Sequence, residues 1–245
     1  MRLQVVVLLL VSGCSANTAP SPPYGVSATR EPTELPSVEP AEEPTPDPQA
    51  RAEPVVVAQG FTADIESDAA SYAVVIANPN ATWVPRFVDV SITFLDTVGA
   101  VLTTETQTIT GIRPESETAV AGEALEAGGA TEMEVQISNL NLLPTGIRSS
   151  LAETGTYEYE GIQTAPAASG GIGTTGLVLS RFESEQVNVP IHVVYYNAAG
   201  EVVGGAVTSV DHVPPGGQAA FETRAVASLH DVAETRIFGH IGFGS

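Results

Sequence analysis

The chain has no lysine, one cysteine and one tryptophan, and its longest apolar run is short. Each scarcity excludes something. All nine basic residues are arginine, set against 29 acidic residues, for a formal net charge of −20. A polyanion of this kind repels nucleic acid and anionic lipid headgroups, so neither is an expected partner. With Cys14 alone there is no intrachain disulfide, so any folded part rests on its core, and thiolate-cluster chemistry is ruled out. The apolar run from Leu3 to Val11 is nine residues long, against about 20 for a spanning helix.

That run sits behind Arg2 and ends in Val11-Ser12-Gly13-Cys14: an aliphatic residue, two small ones and the cysteine. The order of a positive residue, apolar stretch and small residues is that of an export signal. The tetrapeptide resembles a bacterial lipobox. The resemblance implies cleavage between Gly13 and Cys14, lipidation of Cys14, and attachment of the chain to the outer face of a cell membrane through its acyl chains. The alternatives are an ordinary cleaved signal peptide or a buried segment that ends in cysteine.

Residues 14–54 read as the lipidated cysteine followed by a disordered, proline-rich linker. Ten of the forty residues from Ser15 to Pro54 are proline, and most of the others are Ser, Thr, Ala and Glu. Too little apolar surface is present to offset chain entropy. Proline favours polyproline II, and at about 3.1 Å per residue the tether reaches at most on the order of 120 Å.

From Val55 the texture becomes all-β: short β-branched and aromatic runs alternate with Gly, Pro, Asn and Asp, and no apolar period of 3.6 lasts beyond three turns. Strands are expected near 55–65, 72–77, 87–95, 100–107 and 133–137. A second set is expected near 157–163, 177–182, 189–196, 202–210, 219–222 and 236–241. In VDVSITFLD, Val88, Val90, Ile92 and Phe94 share one face, and Asp89, Ser91 and Thr93 the other. The Ala-rich stretches GEALEAGGATE and TRAVASLHDVAE read as short helical turns or loops.

The chain also repeats. Shifted by 101, Thr93 to Leu102 lies over Val194 to Val203, and the register continues through Pro114 over Pro215 to Val120 over Phe221. Each copy reads as a strand, a turn on Asp96 or Asn197 with Gly99 or Gly200, a strand, and a proline-led turn. The Asx side chain closes such a turn on nearby backbone, and glycine accepts positive φ. Units of about 95 residues with six or seven short strands suit an immunoglobulin-like sandwich. Two tandem β-sandwich domains, 55–145 and 146–245, are therefore expected.

Phe94-Leu95-Asp96 in ITFLDTVG, Tyr195-Tyr196-Asn197 in VVYYNAAG, and PPGGQAAF from Pro214 to Phe221 together resemble the FxLYD domain, a small β-sandwich of bacterial and archaeal surface proteins and lipoproteins. The first copy departs at Arg113-Pro114-Glu115-Ser116, which lacks the glycine. The resemblance implies a fold and brings no catalytic residues.

Candidates for chemistry are few. His192 lies within a strand, as a solvent-facing or satisfied sheet histidine. His212 and His230 each adjoin an aspartate, and a metal site between them is weighed against an ordinary surface; His240 is near the end. No spacing matches a zinc pattern, and there is no Gly-x-Ser-x-Gly elbow. With 29 acids, a pair at glycosidase spacing arises by coincidence and carries no information. Asp64, Glu66 and Asp68 alternate like a calcium loop but lack its glycine turn and distal glutamate. The glycine cluster from Ser169 to Gly176 reads as a flexible loop. Trp83, in NPNATWVPRF, is the candidate ligand contact, against the blander reading of a ring that caps the core edge.

The sequence therefore predicts no enzyme, cofactor or metal. It predicts a lipid-anchored surface protein acting as a binding or scaffold module toward an envelope protein or polysaccharide. The alternatives are an accessory lipoprotein of a transporter or secretion complex, and a hydrolase of envelope polymers.

Overall fold

A computed structural model describes residues 51–144, 155–167, 171–225, 229 and 231–240. Gly13, Cys14, most of the linker and the expected domain boundary at 145/146 lie outside the described residues. The chain from Pro46 onward forms one compact unit. Its described residues are all-β and include no helix.

Seven strands come first: β1 (Val55–Asp64), β2 (Ala69–Asn78), β3 (Trp83–Leu95), β4 (Val101–Gly111), β5 (Ser116–Leu125), β6 (Glu132–Ser138) and the short β7 (Asn141–Pro144). Six follow: β8 (Tyr157–Pro166), β9 (Ile172–Ser180), β10 (Gln186–Tyr196), β11 (Val202–Val213), β12 (Gln218–Ala225) and β13 (Glu234–Gly239). The first set builds sheets of order β1-β2-β5 and β4-β3-β6, with β7 alongside the start of β3. The second builds β8-β9-β12 and β11-β10-β13. The second set repeats the strand order of the first, except that β7 has no counterpart among the described residues.

The repeat extends to detail. Asp96 Oδ1 accepts the Val98 and Ala100 N–H groups, and Asn197 Oδ1 accepts those of Ala199 and Glu201, each bond 2.8–3.0 Å. Gly99 and Gly200 follow with φ of 80° and 78°. A register shift falls at Phe94/Leu95 and again at Tyr195/Tyr196. The alternation in β3 comes out as its pattern requires: Val88, Val90, Ile92 and Phe94 are fully buried, and Ser91, Thr93 and Asp89 face outward.

Each repeat has its own core between its two sheets. In the first, Tyr72 and Phe61 both meet Phe94 edge-on at 5.6 Å, within a cluster that includes Val74, Ile76, Val90 and Ile92. In the second, Val189, Ile191, Val193 and Tyr195 of β10 face Val178 and Phe221.

Three expectations are corrected. GEAL, expected in a turn or loop, is the end of strand β5, because its residues pair with β2 from Ala69 to Tyr72. Trp83 does not lie in the connection but opens β3, since Pro144 of β7 pairs with it. The glycine cluster is not wholly a loop: from Ile172 it is strand β9, where a Cβ on Gly176 would lie 2.5 Å from Ile162 and 2.9 Å from Phe221. Glycine is needed there because two core side chains use that space.

The repeats meet along a buried seam, where the outer face of β1-β2-β5 packs on the outer face of β10 and β11. Ala73, Val75, Ala119 and Ala121 contact Val194, Tyr196 and Val202. Small residues let the backbones approach: a Cβ on Gly60 would lie 1.8 Å from the Val202 carbonyl oxygen. Ser71 Oγ donates to the Gly205 carbonyl at 2.7 Å and accepts its N–H at 2.9 Å. The face of β3 and β4 turned away from the first core is a polar ladder instead, pairing Ser91 with Thr106, Thr93 with Thr104 and Asp89 with Thr108.

Candidate functional site

The Trp83 end is built around a buried Asn-Pro-Asn turn after β2. Asn78 is 1 % exposed, and its Nδ2 lies within 3.1 Å of the Trp83, Ile112 and Arg113 carbonyls, tying the end of β2 to the start of β3 and to the β4–β5 connection. Its Oδ1 accepts from the Asn80 N–H and from Asn80 Nδ2. Asn80 in turn holds the incoming chain: its Nδ2 donates to the Ala52 carbonyl and its Oδ1 accepts the Ala52 N–H, both at 2.8 Å. The Arg51 guanidinium stands 4.0 Å over the Trp83 ring, a cation–π contact worth about 0.5–1 kcal/mol where exposed. Trp83 is half-buried, and a residue of its own chain covers one of its faces. The chain therefore enters the β unit at a fastened point.

A second cluster lies at the seam. His192 on β10 and His240 just after β13 stack with centroids 4.3 Å apart and planes inclined by 20°. Both are buried, and both bond the free edge of β5. The Ala121 N–H donates to His192 Nδ1 at 3.0 Å, and His240 Nε2–H donates to the Ala119 carbonyl at 2.8 Å. The pair thus satisfies polar backbone that an edge strand would otherwise leave open inside the seam. Burial first, and the neighbouring His240 second, push His192 down from 6.5 to about 3. Burial also lowers His240. An N–H aimed at Nδ1 needs a lone pair there, so the neutral ring is the form that fits.

A small crevice of about 150 Å³ lies where Arg113 meets Tyr157, Tyr159, Phe182 and Gly239. Arg113 Nη2 donates to the Gly155 carbonyl, and burial raises the Tyr159 hydroxyl pKa.

The other candidates stay apart. His212 is exposed beside Glu185 at 3.1 Å, and His230 lies outside the described residues. Asp64 Oδ1 accepts the Glu66 N–H in an ordinary turn. Among the described residues no three His, Cys, Asp or Glu side chains gather as metal ligands. Sequence reading missed the histidine stack and the Asn80 clasp, because both join residues distant in the chain. The one available signal was a histidine on a strand between Ile191 and Val193. No protein-family model and no curated protein matches the chain.

Proposed function

We propose that this is a lipid-anchored, extracytoplasmic surface protein whose paired β-sandwiches, of the immunoglobulin-like class, serve as a non-enzymatic binding or scaffold module. The lipobox resemblance at Val11-Ser12-Gly13-Cys14 supports the anchor, and the FxLYD resemblance supports the setting. The observation that carries the reading is the seam. Two repeats buried against each other through glycine and alanine make a stiff body, and Asn80 fixes where its tether enters. That arrangement suits holding a surface out from a membrane. The test is fractionation of the cells that make the protein: wild type is expected with membranes, and Cys14→Ala in the medium or unprocessed. Unchanged membrane partitioning of Cys14→Ala contradicts the anchor.

A further inference from the structure

We propose that the end of the first repeat opposite the Trp83 clasp is a docking surface for a cationic polypeptide with an apolar face. Among the described residues, the four most exposed large hydrophobic side chains are Val98 (84 %), Ile65 (82 %), Leu125 (64 %) and Val101 (62 %). All four stand at this one end, on the β1–β2 turn, the β3–β4 turn, the start of β4 and the end of β5. Hydrogen bonds tie the three connections into one surface: Glu126 N–H to the Asp68 carbonyl and Thr131 N–H to the Leu95 carbonyl, both 2.8 Å. Between the apolar residues runs Ala127-Gly128-Gly129-Ala130, a floor without long side chains. It lies so close that a Cβ on Gly128 would be 2.6 Å from the Asp64 carbonyl oxygen.

The fold does not demand this exposure. The second repeat builds the same turn with Ala199 where the first has Val98, and its counterpart of Val101, Val202, is 8 % exposed against Gly60. Four aliphatic side chains held in water at one end, one of them on a turn that alanine also makes, mark this end as a contact surface.

Charge names the occupant. Asp64, Glu66, Asp68, Asp96, Glu126 and Glu132 surround the apolar residues. Arg51, Arg86 and Arg113 are at the opposite end of the repeat. Arg224 of β12 lies near Glu123 on β5, where its charge partly offsets the burial that raises the Glu123 pKa. Anionic bilayers and a second copy of this acidic chain are repelled, whereas a segment with arginine or lysine around an aliphatic stripe satisfies both features.

This deepens the binding-module reading and is independent of the anchor, so failure here leaves acylation of Cys14 untouched. The experiment uses the full chain with Cys14→Ser, methyl-labelled. The probes are an 18-residue helical peptide with leucine and lysine on opposite faces, its leucine-to-serine counterpart, and anionic vesicles. The leucine peptide is expected to bind, with methyl shifts confined to Ile65, Val98, Val101 and Leu125. Val98→Ser combined with Leu125→Ser, whose side chains are exposed and so leave folding intact, is expected to weaken it at least tenfold. Equal binding of the serine peptide, shifts elsewhere, unchanged affinity of the double variant, preference for vesicles, or self-association through this end overturns the proposal.

Discussion

Lowering the pH is expected to destabilise this protein through His192, which is buried in the seam with its Nδ1 accepting the Ala121 N–H. The folded chain keeps the ring neutral down to about pH 3, whereas the unfolded chain protonates it near 6.5. Between those values the unfolded state binds the extra proton, so stability is fully present above the unfolded pKa and falls as pH drops below it. One pKa unit is about 1.4 kcal/mol, so moving from pH 7.5 to pH 5.5 removes about 1.4 kcal/mol through His192. In a chain of this size that is a drop of about 3–6 °C in Tm. The lowered pKa of His240 acts in the same direction. His192→Gln keeps an acceptor for the Ala121 N–H but cannot titrate. Urea unfolding followed by circular dichroism, run on both proteins across this range, isolates the effect, because the carboxylates and the remaining histidines are common to both. The wild type is expected to lose about 1.4 kcal/mol more than the variant by pH 5.5. Parallel pH profiles would refute the claim that the seam holds His192 neutral.

Three further predictions concern close packing and the clasp. Gly60→Ala drives a methyl into the Val202 carbonyl, and is expected to cost about 1–3 kcal/mol or more in thermal unfolding. Gly129→Ala, where the nearest atom is 4.0 Å from the added methyl, is expected to stay within about 0.5 kcal/mol of wild type. Asn80→Ala removes both bonds to Ala52 and one to Asn78, at about 1–3 kcal/mol. Limited proteolysis of Asn80→Ala should cut near Arg51 faster than in wild type, and tryptophan fluorescence should report release of the Arg51 contact with Trp83.

Strands such as β3 are legible because burial on one face forces a period of two, and Val88 to Phe94 keep it. The β3–β4 and β10–β11 hairpins are legible because Asp96 and Asn197 must be Asx to close the turn. The second strands of the two repeats differ at a core position, for a reason visible in the packing. Where β2 presents Tyr72 to Phe94, β9 presents Thr174, and the ring comes from Tyr195, whose hydroxyl lies 3.0 Å from Thr174 Oγ1. Volume and hydrogen bonding moved between strands, and sequence similarity went with them. Strand β5 was hidden because Ala119, Ala121 and Ala124 look like helix or loop composition, yet they serve two buried faces that need small residues. The seam itself left almost no trace, since glycine at positions 60 and 205 means close approach only once the facing backbone is known.

The central claim is an acylated, tethered module, and intact mass spectrometry of the mature protein from cell membranes tests it most directly. The account predicts a chain beginning at Cys14 and heavier than its sequence by two or three acyl chains. A mature chain with a free Cys14 thiol, or one that begins beyond it, would contradict the account.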